Sequence, residues 1–102
     1  MSELLDNQHK FTRMVALLIQ VANAKGYELT FGDAYRDPRV RYGHPDSYHK
    51  RRLAIDFNLF KDGVWLNQTV DHQELGEFWE SIGGTWGGRF SNPDGNHYSL
   101  GE

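Results

Sequence analysis

Two histidines and an aspartate stand out as residues able to share one piece of chemistry: His49, Asp56 and His97. His49 closes a loop punctuated by Gly43 and Pro45, just before an alternating segment. Asp56 follows in mid-segment, on the face that also carries Ala54 and Asn58, whose small or polar side chains leave room for a ligand. A carboxylate buried there unpaired would be costly, so it needs a cation or a donor. His97 lies near the end of the chain, in a short segment that a neighbouring strand can bring beside Asp56. The chain has no cysteine, which excludes a disulfide framework, a thiolate nucleophile and any Cys-ligated zinc or iron–sulfur site. Two imidazoles and a carboxylate, with water in the fourth position, form an open catalytic zinc site. Spacing alone leaves a plainer reading standing, in which these histidines cap a turn or pack in the core.

The elements that must position these residues are legible in the hydrophobic pattern. Ser2 can cap a helix over residues 3–25, in which Phe11, Met14, Val15, Leu18, Val21 and Ala22 recur at helical spacing and Lys25-Gly26 provides the stop. Tyr27, Leu29, Phe31 and Tyr35 alternate and predict a strand ended by Asp37-Pro38, with Val40–Ser47 as loop. Leu53–Phe60 is the clearest strand: Leu53, Ile55, Phe57 and Leu59 belong to the core face, and Asp56 to the other. Lys61-Asp62-Gly63 predicts a hairpin turn returning through Val64-Trp65-Leu66. Asp71 and Glu74 have the form of a capping box for a second helix through Leu75, Phe78, Trp79 and Ile82, closed by Gly83-Gly84. Residues 83–95 read as glycine-rich turns and 96–100 as a last short strand. The mixture predicts one α+β domain over 1–102, a small mainly antiparallel sheet packed by an N-terminal helix and a second helix. Trp65, Trp79 and Trp86 read as core or hairpin packing, with Trp86 alternatively walling a cleft. His9 and His72 read as solvated, and His44 as solvated or a substrate contact.

Ser47-Tyr48-His49, followed by Ala54-Ile55-Asp56, matches a Ser-x-His-x6-Asp signature. Asp94-Gly95-Asn96-His97 adds a carboxylate three residues before a terminal histidine, and Ala34-Tyr35-Arg36-Asp37 an arginine at an early strand end. With these elements in order, the chain resembles the zinc peptidase family of D-alanyl-D-alanine carboxypeptidases, dipeptidases and phage L-alanyl-D-glutamate endopeptidases. The resemblance spans about residues 27–100 and implies a hedgehog/DD-peptidase-like fold. Many members have Gly two residues before the motif alanine, where this chain has Arg52.

The resemblance implies that His49, Asp56 and His97 hold one Zn²⁺ and that Asp94 is the general base. It further implies that Arg36 faces an oxyanion or a substrate carboxylate, and that Ser47 contacts substrate. Each has a plainer counterpart: Asp94 as a turn former, Arg36 as a surface arginine, Ser47 as a brace for the loop carrying His49. By the same resemblance the expected function is hydrolysis of the L-alanyl-D-glutamate bond of peptidoglycan stem peptides for host cell lysis. A D-Ala-D-Ala carboxypeptidase or dipeptidase is the nearest alternative, and a non-catalytic wall-binding module the next.

The net charge of −3 argues against a nucleic-acid partner, although residues 36–52 carry six basic residues against two acidic ones. That local surplus suits an anionic stem peptide. No apolar run reaches the roughly 20 residues of a membrane span, and the N-terminus lacks the pattern of a signal peptide. The expectation is a monomer without a membrane partner, held in the host cytoplasm before lysis and acting on the wall in the periplasm.

Overall fold

The computed structural model describes residues 2–39 and 47–102. The predicted loop with Arg41, Gly43, His44 and Pro45 lies outside the described residues. Helix α1 spans Glu3–Ala24, and the Ser2 hydroxyl accepts the Leu5 N–H at 3.1 Å, as its capping role requires. The helix buries Phe11, Met14, Leu18 and Ala22, and Gly26 follows it with φ +86°.

Strands β1 (Glu28–Phe31), β2 (Ala54–Lys61), β3 (Val64–Leu66), β4 (Thr85–Trp86) and β5 (His97–Ser99) form one sheet in the order β1-β2-β5-β4, with β3 also on β2. All of these pairings are antiparallel. The β2–β3 hairpin turns through Asp62 (φ 52°) and Gly63 (φ 78°), two positive-φ residues that follow the strand twist. Helix α2 (Gln73–Ser81) packs with α1 over the sheet. Leu53, Ile55, Phe57 and Leu59 meet Leu18, Leu75, Trp79 and Tyr98 in the core, so the core face read from the sequence is the one buried. The fold is the expected α+β arrangement of two helices on a mainly antiparallel sheet.

Five expectations need correction. The strand after α1 ends at Phe31 rather than Tyr35, because two residues then face one and break the regular ladder: Gly32 N–H donates to Asp56 C=O and Asp56 N–H to Asp33 C=O, both at 2.7 Å. The capping box lies three residues early. Gln68 caps a short 3₁₀ turn (Thr69–His72) in which Asp71 accepts the Gln68 N–H at 3.0 Å, while Glu74 instead meets Lys25 at 3.0 Å and the Tyr27 hydroxyl at 3.2 Å. Residues 83–95 contain strand β4, paired with Ser99 and Tyr98, as well as turns. Trp65 is exposed on the hairpin rather than packed, whereas Trp86 is core as read, buried with its indole N–H on Gly95 C=O at 2.8 Å.

The fifth correction is His72, which is buried rather than solvated. Its Nδ1 lies 2.8 Å from the Tyr98 hydroxyl, which is itself fully buried. Burial pushes His72 down to about 4, against the nearby Asp71 charge, from 6.5 for a free imidazole. The unfolded chain therefore takes up this proton first, so stability rises with pH between those values. The contribution is complete above pH 6.5 and is lost as pH falls toward 4. At pH 4.5 the wild type is expected to lose roughly 2–3 kcal/mol relative to pH 7 through this group alone. His72→Gln, which cannot titrate, should show a correspondingly smaller shift of its urea midpoint between the two pH values.

Candidate metal centre

Three elements deliver the candidate ligands. His49 sits in a 3₁₀ turn (Tyr48–Arg51), whose first N–H groups need an outside acceptor. The Ser47 hydroxyl provides one, accepting the His49 N–H at 3.2 Å. That turn ends at Arg52 with φ 59°, the left-handed region that favours glycine, and the Arg52 guanidinium lies 4.1 Å from the Tyr35 ring centroid. Asp56 and His97 are directly opposite each other across the β2–β5 pair, so strand register alone places the carboxylate beside the second imidazole. A Cβ at Gly87 would overlap the Asp94 C=O and crowd His97, so only glycine fits beneath the turn joining those residues. That turn is tied by Asp94 N–H to Gly87 C=O at 2.9 Å and His97 N–H to Asp94 C=O at 3.1 Å.

The three side chains converge. Asp56 Oδ1 lies 3.2 Å from His49 Nε2 and 3.4 Å from His97 Nδ1, and one ligand atom from each residue falls within 4.8 Å of the others. Both histidines are buried, and their rings meet edge to face at 5.1 Å. Yet Asp56 Oδ1 and His49 Nδ1 are buried without a hydrogen-bond partner. An orphaned carboxylate oxygen facing two imidazole nitrogens is a donor set that a divalent cation satisfies, so the residues fit a metal.

The electrostatics agree. Burial pushes Asp56 up, but the two adjacent imidazoles outweigh it and hold the carboxyl below its usual range. For His97, Asp56 and Glu102 outweigh desolvation and push the ring up to about 9. Asp94, exposed on the adjoining turn, is raised above its usual range by partial desolvation and then by the Asp56 charge. A carboxyl moved in that direction beside a cation site is suited to taking up a proton.

Arg36 is buried, not a surface residue. Its N–H donates to His49 C=O at 3.1 Å, and its guanidinium bonds Asp33 at 3.0 Å. Ser47 is a brace for the His49 turn in this structure. Sequence reasoning gave Glu102 no part in holding His97, and its Oε1 is 2.6 Å from His97 Nε2. A carboxylate can only accept there, so Nε2 donates, and Nδ1, which faces Asp56, is the nitrogen whose proton a bound metal would displace. Nothing local in the sequence signals that contact, because it depends on the chain folding back after β5.

The peptidase family described as D-alanyl-D-alanine carboxypeptidase matches residues 41–100, more than half of the chain. Among solved structures, the Serratia marcescens L-Ala D-Glu endopeptidase ChiX is similar at a TM-score of 0.72 and 15% identity, covering 98% of this chain and 87% of that one. At that identity the likeness is one of fold. No curated protein matches the chain. With His49, Asp56, Asp94 and His97 all inside the matched span, the chain belongs to the D-alanyl-D-alanine carboxypeptidase family of peptidases.

Proposed function

We propose that this protein is a zinc-dependent peptidase of peptidoglycan that hydrolyses the L-alanyl-D-glutamate bond of stem peptides as a phage lysis enzyme. The observation that carries the reading is the convergence of His49, Asp56 and His97 beside Asp94 in a chain of this peptidase family. The likeness in fold to an L-Ala D-Glu endopeptidase supports the choice of bond. The carboxypeptidase description of the matching family favours a second reading, release of a terminal D-alanine. In either case a Zn²⁺ held by His49, Asp56 and His97 supplies Lewis-acid activation of water and of the scissile carbonyl. Asp94 takes the proton of the attacking water and passes it to the departing amine. Arg36, fixed beside the His49 turn, provides a planar cation for the developing oxyanion or for a substrate carboxylate. Synthesis in the host cytoplasm and action on the wall in the periplasm complete the proposal. New amino termini should appear when metal-loaded protein meets purified sacculi and should be absent after chelation; equal release with and without chelator would contradict it.

Two variants test the supporting residues. Arg36→Lys keeps the charge and loses the planar fork, so turnover at saturating substrate should fall about tenfold or more while zinc content holds. Unchanged turnover would remove Arg36 from the site. Glu102→Gln leaves His97 a neutral acceptor in place of a charged one. Zinc affinity, measured by chelator competition, should weaken by about 10- to 100-fold. An unaltered affinity would show that Glu102 does not orient the ring.

A further inference from the structure

A cavity of about 220 Å³ opens next to Asp94, at the edge of β2 where one partner strand gives way to another. Along that edge β5 pairs with Ala54–Asp56 and β3 with Leu59–Lys61, and the cavity lies at the gap between them, over Phe57 and Asn58. Its walls are the turn carrying Asp94 and the segment leaving β3. Trp65, Asn58, Asn67, Thr69 and Asn96 line it. Trp65 is 58% exposed although it sits opposite Phe60 in the hairpin, so its ring is held by the strand and open to solvent. Among the described residues, the Asn58 and Asn96 side-chain amides and the Trp65 indole N–H have no hydrogen-bond partner. No lysine or arginine is among the described lining residues, and the one carboxylate is Asp94 at the rim.

We propose that this cavity is a sugar subsite, seating one N-acetylated hexosamine ring of the glycan strand against Trp65. The inference rests on the peptidoglycan reading above and adds the direction in which substrate lies. An aromatic face with neutral amides and a hydroxyl around it suits a ring that is apolar on its faces and polar at its edges. The volume, below the roughly 300–1,000 Å³ of sites for drug-sized ligands, suits one ring. The anionic stem is a poor occupant, since its carboxylates would meet Asp94 and no cation. Arg36 is not among the lining residues and stands by the His49 turn instead. A substrate with its sugar in the cavity and its D-glutamate toward Arg36 lays the L-alanyl-D-glutamate bond across the metal centre.

The test is a nuclear magnetic resonance titration of the metal-loaded protein with the β-1,4-linked disaccharide of N-acetylglucosamine, which carries neither a peptide bond to cut nor a carboxylate. Saturable shifts of the Trp65 indole N–H and the Asn58 and Asn96 side-chain amides are expected. Trp65→Ala should raise the half-saturating concentration about tenfold or more, and Trp65→Phe, which keeps a ring, should restore most of the affinity. No shift at millimolar sugar, shifts confined to other residues, or equal affinity in Trp65→Ala would overturn the proposal. So would displacement of the sugar signals onto free stem tetrapeptide, which would make the cavity a peptide subsite. The readout does not require cleavage, so an inactive protein that binds the disaccharide here contradicts the peptidase reading alone.

Discussion

Asp94→Asn is expected to keep its zinc and to cleave peptidoglycan about 10²–10⁴-fold more slowly, the usual contribution of a positioned base. The change is nearly isosteric and leaves the backbone bonds of the turn intact, since these use the Asp94 N–H and C=O rather than the side chain. An amide cannot accept the proton that the carboxylate takes, so the loss should fall on the chemical step. The carboxyl is already raised by partial desolvation and by the Asp56 charge, the direction a base needs. Asp56→Asn should behave differently, losing metal and activity together, because a neutral amide is a poor ligand. If Asp94→Asn cleaves at the wild-type rate, Asp94 is only a turn residue. Replacements are few: Asp33 is paired with Arg36 and Glu102 with His97.

His49→Ala and His97→Ala are each expected to reduce bound zinc from close to one equivalent to a small fraction of it. Three candidate ligands are preplaced by strand register and a capped turn, so loss of one would leave two on an ion that takes four. Both imidazoles also offset the half-buried Asp56 charge, so each variant leaves that carboxylate less compensated as well. Metal analysis of protein purified without chelator reads the outcome directly. Wild-type zinc content in both variants would refute the ligand assignment.

The parts of the fold readable in the sequence were those with strong local pattern. β2 and its hairpin announced themselves through alternation at 53–60 and an Asp-Gly turn, and α1 through its apolar stripe and cap. The three candidate ligands could be picked out because their motifs are short and ordered, and strand register then sets two of them side by side. What was not readable depends on partners far along the chain. His72 is buried only because Tyr98 arrives from β5, and Glu102 reaches His97 only once the chain has folded back. β4 is two residues long among glycines, too short to carry a period. The misplaced capping box has a simpler cause: Asp71 fits either register by spacing, and the contacts of Glu74 with Lys25 and Tyr27 decide between them.

Mass spectrometry of disaccharide-tetrapeptide muropeptides digested by the zinc-loaded protein tests the central claim most directly. Two products are expected: a disaccharide bearing L-alanine alone, and a tripeptide with a new D-glutamate amino terminus. Neither product should form after chelation. Stem peptides left whole, or shortened only at their carboxyl ends, would contradict it.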